Sequence, residues 1–386
     1  MTARVLIHVQ HLLGSGHLRR AAAIAAELAR RGFAVELMSG GMPIADLNLG
    51  RARLVQLPPV RALDATFSTL VDEHGRPIDD AWKAMRRELL LERLQHFRPD
   101  VLVTELFPFG RGALAFELVP LLEAAHKFSP RPLILSSIRD ILVQKSDPRK
   151  VELVIERVRS WYDRVLIHGD PELIPLSATF PESRLADKLV YTGYVDGDGS
   201  PDVRPSEDGV NEVIVSAGGG AVGAGLLRAA VAAIPLSKLG NRRWRLLVGS
   251  RLDAEARDVL LREAGAGCII EPARKDFRQL LTRCHVSVSQ AGYNTVMDVL
   301  TARARAVFVP FAAAGETEQK LRAEALRRHG WAQVVDEAEL TPSTLARAVD
   351  VAAEMPRPEA GWVGRDGAAT TARLVQAWLA ERSVQA

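Results

Sequence analysis

Short apolar runs alternate with helical patterns along this chain, and the alternation occurs twice. Runs of this length predict strands buried on both faces, and their alternation with helices predicts parallel sheets covered by helices on both sides. The predicted strands of the first half are 5–9, 34–38, 54–57, 101–104, 133–137 and 164–168, with helices over 17–31, 80–97, 111–127 and 149–162. Those of the second half are 212–216, 244–248, 267–271, 285–289, 306–310 and 332–335. The expected fold class is α/β, with two doubly wound, Rossmann-like domains that face one cleft.

A turn-rich segment separates the two halves. Residues 196–209 are rich in Gly, Pro and Asp, which is typical of a connection between domains. We predict an N-terminal domain over 1–198, a linker over 199–210 and a C-terminal domain over 211–365. A C-terminal helix over 366–386 is expected to pack back on the N-terminal domain. With 386 residues, the chain is long enough for two cores of this size.

Composition excludes several classes of protein. The longest apolar stretches, 113–125 and 218–236, are interrupted by charged residues such as Glu117, so we expect no transmembrane span. The chain enters its first strand without an apolar signal segment, which favours a cytoplasmic location. Cys268 and Cys284 are too few for a disulfide framework or a thiolate zinc site, so both are expected to be core residues.

The basic pI, near 9, comes from arginine pairs that are spread along the chain with acids between them. This distribution predicts solvated helix faces, and no motif of interleaved basic and aromatic residues indicates nucleic-acid binding. Weak attraction to an anionic membrane surface is the better expectation. A peripheral position at the inner face of the membrane is therefore the alternative to a wholly cytoplasmic one.

The segment after the predicted strand 285–289 carries the strongest functional pattern. A small turn containing Gly292 leads into a helix that is expected to open at Asn294 and Thr295, with Asp298 in its first turn. Free backbone N–H groups at a helix N-terminus suit a phosphate, and a carboxylate nearby can accept hydrogen bonds from a sugar diol. The strand 306–310 is expected to place Glu316, Glu318 and Gln319 beside this turn; together these groups predict a site for the sugar half of a nucleotide-sugar.

A glycine-rich loop opens the second half. Gly218, Gly220 and Gly223 match G-x-G-x-x-G between a strand and a helix, which is the pattern of a dinucleotide site. That site needs an acid at the end of the next strand to hold the ribose, but Arg251 stands there. A diphosphate held by the N–H groups of Gly218, Gly219 and Gly220, with help from Arg251, is the better interpretation.

The loop after the first strand carries Gly14, Gly16 and His17. Glycines let an acceptor approach the backbone closely, and a histidine there is suited to deprotonate an acceptor hydroxyl because its unperturbed pKa is near ~6.5. The alternative is a histidine that caps the helix or hydrogen-bonds the acceptor.

Glu105 ends the strand 101–104 and is the candidate partner of His17. If strands one and four are neighbours, Glu105 can orient the imidazole of His17. The alternative is an exposed acid at the end of a strand, paired with Arg111. His11 lies near the same loop and is the rival for the role of base.

These motifs resemble the family 28 glycosyltransferases of the GT-B fold. That family carries a Ser-x-x-Gly-x-x-Thr-x-x-Glu run, then Val-Pro-Phe, then an acid or Gln before Gln-x-x-Asn-Ala, and a Gly-x-Gly-Gly-His loop near the N-terminus. The matching residues here are Ser289, Gly292, Thr295, Asp298, Pro310, Phe311, Glu318 and Gln319. The chain departs from the family where Gly-x-Pro reads Ala304-Arg305-Ala306 and where the Asn after the Gln reads Arg322.

The resemblance implies an inverting, metal-independent transfer of a sugar from a nucleoside-diphosphate sugar, most simply a UDP-sugar, to an acceptor hydroxyl. It implies no cofactor, since the nucleotide-sugar is a substrate, and a lipid-linked acceptor for some members. His17 and Glu105 would be catalytic, and Gly14, Gly16 and Arg111 would bind the acceptor. The donor would be bound by Gly218, Gly219, Gly220, Arg251, Ile270, Ser289, Gly292, Asn294, Thr295, Asp298, Glu318 and Gln319, with Ile270 covering the base or serving only as core.

Two other functions fit the same sequence. A sugar-nucleotide hydrolase or an epimerase on this scaffold would act without an acceptor. A non-catalytic nucleotide-sugar-binding subunit of a membrane complex would bind the donor and turn nothing over. The presence of both His17 and the donor-side acids favours an enzyme over a binding subunit.

Overall fold

The computed structural model describes residues 2–12, 14–45, 47–63, 69–145, 147–196, 207–217, 223–249, 252, 254–311, 317–359, 364 and 366–385. Residue contacts divide the chain into two compact units. Unit 1 comprises Met1–Asp198 and Val363–Ala386, and unit 2 comprises Gly199–Trp362. Across the described residues, no helix is both long and apolar enough to cross a membrane.

Unit 1 is built on one parallel sheet with a small hairpin beside it. Its strands are β1 (Arg4–Val9), β2 (Ala34–Ser39), β3 (Arg53–Gln56), β4 (Arg61–Ala62), β5 (Leu70–Val71), β6 (Val101–Glu105), β7 (Leu133–Arg139), β8 (Arg164–His168) and β9 (Leu189–Tyr191). The sheet order is β3-β2-β1-β6-β7-β8-β9, and β4 pairs with β5 in antiparallel. The strands β1, β6 and β7 are buried along almost their whole length, as strands covered on both faces must be.

Four helices connect the strands of the unit 1 sheet: α1 (Gly16–Arg30), α2 (Asp80–Phe97), α3 (Ala115–His126) and α4 (Pro148–Trp161). Local sequence explains two of their starts. Asp79 caps α2 by accepting a hydrogen bond from the backbone N–H of Trp82 at 2.7 Å, and Asp147 caps α4, whose first residue is Pro148. A side-chain oxygen at this position satisfies an N–H group that has no partner within the helix.

Unit 2 repeats the architecture. Its strands are β10 (Val213–Ser216), β11 (Trp244–Val248), β12 (Cys268–Pro272), β13 (Val286–Ser289), β14 (Ala306–Phe308) and β15 (Ala332–Val334), in the parallel order β12-β11-β10-β13-β14-β15. Its helices are α5 (Ala224–Ala233), α6 (Ala254–Glu263), α7 (Phe277–Arg283), α8 (Tyr293–Ala302), α9 (Glu318–Arg328) and α10 (Pro342–Glu354). The last helix, α11 (Gly367–Gln385), belongs to unit 1, where Ala372 and Val375 are buried in one core cluster with Leu18 and Ala22 of α1.

Both sheets are doubly wound, so the predicted α/β class is confirmed. In each sheet the chain moves outward in one direction from the first strand and then returns to pair on the other side of it. The switch point lies between β1 and β6 in unit 1 and between β10 and β13 in unit 2. Ligands of such sheets bind beyond the carboxyl ends of the strands at this point.

Three short strands were not predicted. The paired strands β4 and β5 have two residues each, and β9 has three that are all half-buried. Such segments carry no apolar run long enough to show a period, because their pairing depends on neighbours far away in the chain.

Candidate active site

The switch point of unit 1 brings His17 and Glu105 together. The pairing of β1 with β6 places the loop after β1 and the last residue of β6 at the same edge of the sheet. His17 stands in the first turn of α1 and Glu105 ends β6. Nδ1 of His17 lies 2.9 Å from Oε1 of Glu105. The two side chains are therefore joined by a hydrogen bond across a separation of 88 residues in the chain.

Glu105 is buried and accepts hydrogen bonds on both of its oxygens. Its side chain is about 1% exposed, so the alternative of an exposed acid at the strand end is wrong. Oε1 accepts from Nη2 of Arg20 as well as from His17, and Oε2 accepts from Oγ of Ser137 at 2.5 Å. Arg20 is itself 4% exposed and lies one helical turn after His17 in α1. The carboxylate is thus held at both oxygens by three side chains, two from α1 and one from β7.

These contacts decide which groups are charged. Burial by itself would raise the pKa of Glu105, but Arg20, His17 and Ser137 outweigh it and hold the pKa well below its usual range. Burial lowers the pKa of His17 to about 3, and Arg20 acts in the same direction, while the hydrogen bond to Glu105 opposes them. At neutral pH the site therefore contains a carboxylate and a neutral imidazole.

The charge states determine the tautomer of His17. An ionised carboxylate only accepts hydrogen bonds, so Nδ1 must carry the imidazole proton that points to Glu105. Nη2 of Arg20 also lies 3.1 Å from Nδ1, but two donors cannot bond each other, and Arg20 donates to the carboxylate instead. The lone pair of His17 is consequently on Nε2. The side chain of His17 is 14% exposed, which leaves part of the ring open to a ligand.

The glycines and Arg111 occupy the rest of this edge. Gly14 is exposed, and a Cβ atom added to it would meet nothing within 4 Å. Gly16 is the first residue of α1, whose N-cap Ser15 makes no side-chain capping bond. Nε of Arg111 donates to the backbone oxygen of Gln10 at 2.9 Å. Burial lowers the pKa of Arg111 to about 10; no hydrogen bond joins it to Glu105 among the bonds of the described residues.

His11, the rival for the base, lies in a tighter environment. It is 6% exposed, and its Nε2 lies 3.0 Å from the backbone oxygen of Met42, to which it donates in the neutral form. Burial lowers its pKa. A Cβ atom added to Gly41 would come within 2.4 Å of the His11 ring. His11 is therefore packed against the backbone of the neighbouring loop, while His17 is the more open of the two imidazoles.

In unit 2, the predicted anion site is the turn between β13 and α8, and the structure differs from the prediction in where the helix begins. The helix begins at Tyr293, one residue earlier than predicted, and its N-cap is Gly292, which has no side chain to cap the first N–H groups. A Cβ atom added to Gly292 would meet nothing within 4 Å. Asn294 is exposed and Thr295 is half-buried, while Ser289 is fully buried. The first turn of α8 is thus the accessible part of this segment.

Asp298 does not lie in the first turn of α8, contrary to the prediction. Because the helix begins at Tyr293, Asp298 falls in the second turn, and the first turn contains no acid. Its Oδ1 accepts from Nη2 of Arg278 at 2.7 Å and from Nε of the same residue at 3.0 Å. The two side chains are 21% and 15% exposed. Asp298 is therefore a carboxylate that already has a cationic partner from α7.

Gln319 joins two loops. Its Oε1 accepts from the backbone N–H of Ala291 and from that of Phe311, each at 3.1 Å. Ala291 precedes α8 and Phe311 follows β14, so this side chain links the turn before α8 to the segment after β14. Gln319 was predicted to bind the donor; a contact through its Oε1 would compete with these two hydrogen bonds.

Glu318 and Arg322 support the same turn from α9. Nη2 of Arg322 donates to Oε1 of Glu318 at 3.0 Å, and Nη1 donates to the backbone oxygen of Ala291 at 3.2 Å. Arg322 is fully buried, with its guanidinium 5.5 Å from the centre of the Tyr293 ring. Arg322, which departs from the family pattern, therefore packs against the turn and the first residue of α8.

Ile270 lies in β12, the edge strand of the unit 2 sheet, where it is partly buried against the core. Gly218, Gly219, Gly220 and Arg251, the predicted diphosphate loop and its arginine, lie outside the described residues, as does Glu316. Within the described residues, no group of three or more His, Cys, Asp or Glu side chains is placed to hold a metal ion.

The sequence patterns missed the arginines of both sites. Arg20 follows His17 by one turn of α1, so helical spacing could have indicated it. Arg322 similarly follows Glu318 by one turn of α9. Arg278 lies 20 residues before Asp298 on another helix, and nothing in the sequence connects the two. The pairing of α7 with α8 is a property of the packed unit.

Comparison with known proteins identifies the fold that these two doubly wound units form. Residues 214–360 match the Glycosyltransferase family 28 C-terminal domain. The chain has the GT-B fold and resembles the family 28 glycosyltransferases, and the matched residues make up most of unit 2.

Curated relatives share part of the sequence. Over 129 residues the chain is 30% identical to the UDP-N-acetylglucosamine–N-acetylmuramyl-(pentapeptide) pyrophosphoryl-undecaprenol N-acetylglucosamine transferase of Polaromonas naphthalenivorans, covering 33% of this chain and 36% of that protein. It is 28% identical over 178 residues to the enzyme of the same name from Brucella suis, covering 43% and 47%. The chain thus spans less than half the length of these relatives.

Solved structures match over almost the whole chain. The calicheamicin glycosyltransferase CalG4 superposes with a TM-score of 0.61 at 15% identity, covering 98% of this chain and 95% of its own. MurG of Acinetobacter baumannii gives 0.58 at 16% identity, covering 97% and 99%. MnaA of S. aureus, solved with UDP, gives 0.60 at 12% identity, covering 97% and 95%. At these identities the likeness establishes the fold.

Proposed function

We propose that this chain is a glycosyltransferase that moves a sugar from a nucleoside-diphosphate sugar, a UDP-sugar, to an acceptor hydroxyl with inversion and without a metal ion. Unit 2 would hold the donor and unit 1 would hold the acceptor. The observation that carries the proposal is the hydrogen bond of 2.9 Å between His17 and Glu105 at the switch point of unit 1.

This pair has the properties of a general base with an orienting carboxylate. Glu105 holds the proton of His17 on Nδ1, so the lone pair of Nε2 is free to take a proton from a hydroxyl. The carboxylate then stabilises the imidazolium that forms. Arg20 and Ser137 keep Glu105 ionised and in place, each through a hydrogen bond to one of its two oxygens.

The proposed reaction is a single displacement. The acceptor oxygen attacks C1 of the donor sugar, its proton moves to Nε2 of His17, and the bond from C1 to the diphosphate oxygen breaks with its electron pair on the leaving diphosphate. Attack opposite the leaving group inverts the configuration at C1. The proton that His17 has gained is later released to solvent, so each turnover yields a glycosylated acceptor, a nucleoside diphosphate and one proton.

The first turn of α8 supports the proposed position of the donor diphosphate. Gly292 provides no cap for the N–H groups there, and the positive end of the helix dipole favours an anion. Such N–H groups stabilise the charge that develops on the leaving diphosphate, in the way that a divalent cation does in other enzymes. Asp298, in the next turn, would accept a hydrogen bond from a hydroxyl of the donor while it remains paired with Arg278.

The acceptor class is inferred from the relatives. Their name specifies a pyrophosphoryl-undecaprenol acceptor. We propose a lipid-linked acceptor for this chain as well, which would bring the protein to the inner face of the membrane as a peripheral protein. The basic composition, with a net charge of +3, is compatible with weak attraction to anionic lipids.

A screen of nucleotide-sugars for thermal stabilisation tests the donor class, followed by the release of nucleoside diphosphate from the best one with and without lipid-linked acceptors. We expect a UDP-sugar to stabilise the protein and EDTA to leave turnover unchanged. An NMR spectrum of the product gives its anomeric configuration. Turnover that is equally fast without any acceptor would show a hydrolase or an epimerase instead, and binding without turnover would show a binding subunit.

A substitution of His17 tests its role. His17→Ala should lower kcat by about 10²–10⁴-fold, the range of general acid–base catalysis, with the donor dissociation constant nearly unchanged. His74→Ala is the control, because His74 is exposed and lies on neither site. A kcat of His17→Ala within a few-fold of the wild type would exclude it as the base and direct attention to His11.

A further inference from the structure

Behind Glu105, a chain of hydrogen bonds continues into the interior of unit 1. Ser137 on β7 places its Oγ 2.5 Å from Oε2 of Glu105 and 2.9 Å from Nε2 of His168, the last residue of β8. Nδ1 of His168 lies 2.7 Å from Oγ1 of Thr192. Glu105, Ser137 and His168 are each 2% exposed or less. We call the set formed by Glu105, Ser137, His168 and Thr192 the buried chain.

Parallel register aligns the members of the buried chain. Glu105 pairs with Ser137 across β6 and β7, and the neighbouring pair Arg139 and His168 links β7 to β8. Adjacent parallel strands thus bring the side chains to the same end of the sheet, where His17 meets them from α1. The sheet that carries Glu105 thus also carries this second layer of polar groups.

Because Ser137 has a single hydroxyl proton, it determines which groups of the buried chain donate hydrogen bonds and which accept them. A hydroxyl has one proton, and Ser137 has two neighbours that need to be considered, Glu105 and His168. The carboxylate of Glu105 only accepts, so Ser137 donates to it. Ser137 must then receive a hydrogen bond from His168, which requires a proton on Nε2 of that ring.

His168 carries that proton as a neutral imidazole. Burial lowers its pKa to about 3, and Arg20 acts in the same direction, so the doubly protonated ring is absent at neutral pH. Its Nδ1 is then an acceptor that faces the hydroxyl of Thr192 at 2.7 Å, closer than the two backbone oxygens within reach of that hydroxyl, those of Gly193 at 3.0 Å and Ile167 at 3.3 Å. In this arrangement each donor faces an acceptor, from Thr192 through His168 and Ser137 to Glu105. The other neutral tautomer would leave two acceptors facing one hydroxyl proton.

We propose that Ser137 and His168 are positioning residues for the Glu105 and His17 pair: the Nε2–H group of His168 commits the Ser137 proton to Oε2 of Glu105 and so fixes the carboxylate that orients His17. The expected effect on kcat rests on the proposed function, whereas the expected effect on the hydrogen bond between His17 and Glu105 does not. Ser137 and His168 are too deeply buried to touch a substrate, so their pairing is not a nucleophile with its base.

NMR spectroscopy of the intact protein labelled with ¹⁵N-histidine tests the structural part without any substrate. The wild type should show a single Nδ1–H tautomer for His17, with a downfield proton resonance that reports its bond to Glu105, and an Nε2–H tautomer for His168. Ser137→Ala should shift the His17 resonance upfield or broaden it, because one oxygen of Glu105 loses its hydrogen bond. His168→Leu should do the same more weakly, and His168→Gln, which retains a donor near the position of Nε2, should restore the wild-type signal.

Ser136→Ala is the matched control. Ser136 is the preceding residue of β7, it is equally buried, and its hydroxyl donates to the backbone oxygen of Phe107 at 2.8 Å rather than to the buried chain. It should leave the His17 resonance in place. Thermal unfolding of every variant identifies any that does not fold.

Kinetics test the consequence for the reaction, with UDP-N-acetylglucosamine as the probe and UDP release as the signal. Ser137→Ala should lower kcat by about tenfold, the loss expected for one hydrogen bond to a charged group, and leave the donor KM within about twofold. The Ser137→Ala/His168→Leu double variant should be no slower than Ser137→Ala, since His168 acts only through the serine.

Two results would overturn the inference. One is a His17 resonance that is unchanged in folded Ser137→Ala and His168→Leu proteins. The other is a double variant whose kcat loss is the product of the single losses. If the wild type releases no UDP from any UDP-sugar, the proposed function fails, and the NMR comparison still decides whether the buried chain positions Glu105.

Discussion

Replacement of Glu105 by glutamine separates two ways in which a carboxylate can assist a histidine. Where an amide takes the place of a carboxylate, its NH₂ group can turn toward the imidazole and impose the wrong tautomer, which costs about 10⁴ in kcat in the serine protease example. In this protein Arg20 opposes that rotation. Its Nη2 donates to the same Oε1 that faces His17, so an oxygen must stay there.

The expected loss is therefore small. With the amide oxygen in the position of Oε1, His17 keeps its Nδ1–H tautomer and its lone pair on Nε2. What disappears is the charge that stabilises the imidazolium in the transition state. A hydrogen bond to a charged group contributes about 1.5–3 kcal/mol and a neutral one about 0.5–1.5 kcal/mol. The difference of about 1–1.5 kcal/mol predicts a decrease in kcat of roughly 5- to 15-fold.

The NH₂ group of the glutamine is expected to reverse the hydrogen bond between Ser137 and His168. This group would occupy the position of Oε2 and donate to Ser137, which must then give its own proton to Nε2 of His168. His168 should change to the Nδ1–H tautomer. Glu105→Gln is also expected to destabilise unit 1 by about 3–5 kcal/mol, since buried Arg20 loses its carboxylate partner.

Steady-state UDP release, ¹⁵N-histidine spectra and denaturant unfolding of Glu105→Gln measure these three effects. The Glu105→Gln/Arg20→Met double variant is the decisive comparison, because without the guanidinium the amide is free to rotate and kcat should fall further, toward the loss of about 10⁴. A loss of that size in the single variant, with an Nε2–H tautomer for His17, would refute the reasoning that Arg20 holds an oxygen in place.

Three further predictions concern the donor site and the response to acid. Asp298→Ala should weaken binding of the intact UDP-sugar by about 1.5–3 kcal/mol in calorimetry, whereas Arg278→Ala should have the smaller effect; equal losses would mean that the ion pair, and not the carboxylate, supports the donor. Gln319→Leu should lower the free energy of unfolding by about 2 kcal/mol or more, because two backbone N–H groups lose their acceptor, while Lys320→Leu on the exposed face of α9 should not. The pKa of His17 and of His168 is lowered to about 3, so the folded state disfavours protons that the unfolded chain binds below about 6.5. Stability should therefore be complete above that pH and fall by up to about 1.4 kcal/mol per pH unit for each imidazole as the pH decreases toward 3; a flat profile of denaturant midpoints between pH 7 and 4 would contradict the buried neutral rings.

Local patterns were sufficient to predict the fold class. Apolar runs such as 101–104 and 133–137 appear as the buried strands β6 and β7. The alternation of strands with helices predicts parallel sheets, and ligands of such sheets bind at the carboxyl ends of strands. That rule alone predicts that His17 and Glu105 lie at the same edge of the unit 1 sheet.

Other parts of the sites depend on residues that are far apart in the chain. The prediction placed Asp298 in the first turn of α8 and left it free for a sugar, but the helix begins at Tyr293, and Arg278 from α7 binds the carboxylate. The start of a helix that has a glycine cap carries little sequence signal. The partner of Asp298 depends on how two helices pack, which no periodic pattern contains.

In the buried chain of unit 1, too, local sequence predicts one part and the tertiary structure determines the rest. The apolar runs in the sequence are enough to predict that β6, β7 and β8 are buried. A strand between two layers of helices carries apolar side chains wherever no hydrogen-bonding partner is available for a polar one. The apolar runs do not indicate which polar residues of those strands are tolerated. Ser137 and His168 are tolerated because the register of the parallel strands places each beside a group of matching hydrogen-bonding capacity. Strand order and register bring Ser137 together with Glu105, 32 positions away, and with His168, 31 positions away. The charge of the carboxylate and the tautomer of the imidazole follow only once these residues are in contact.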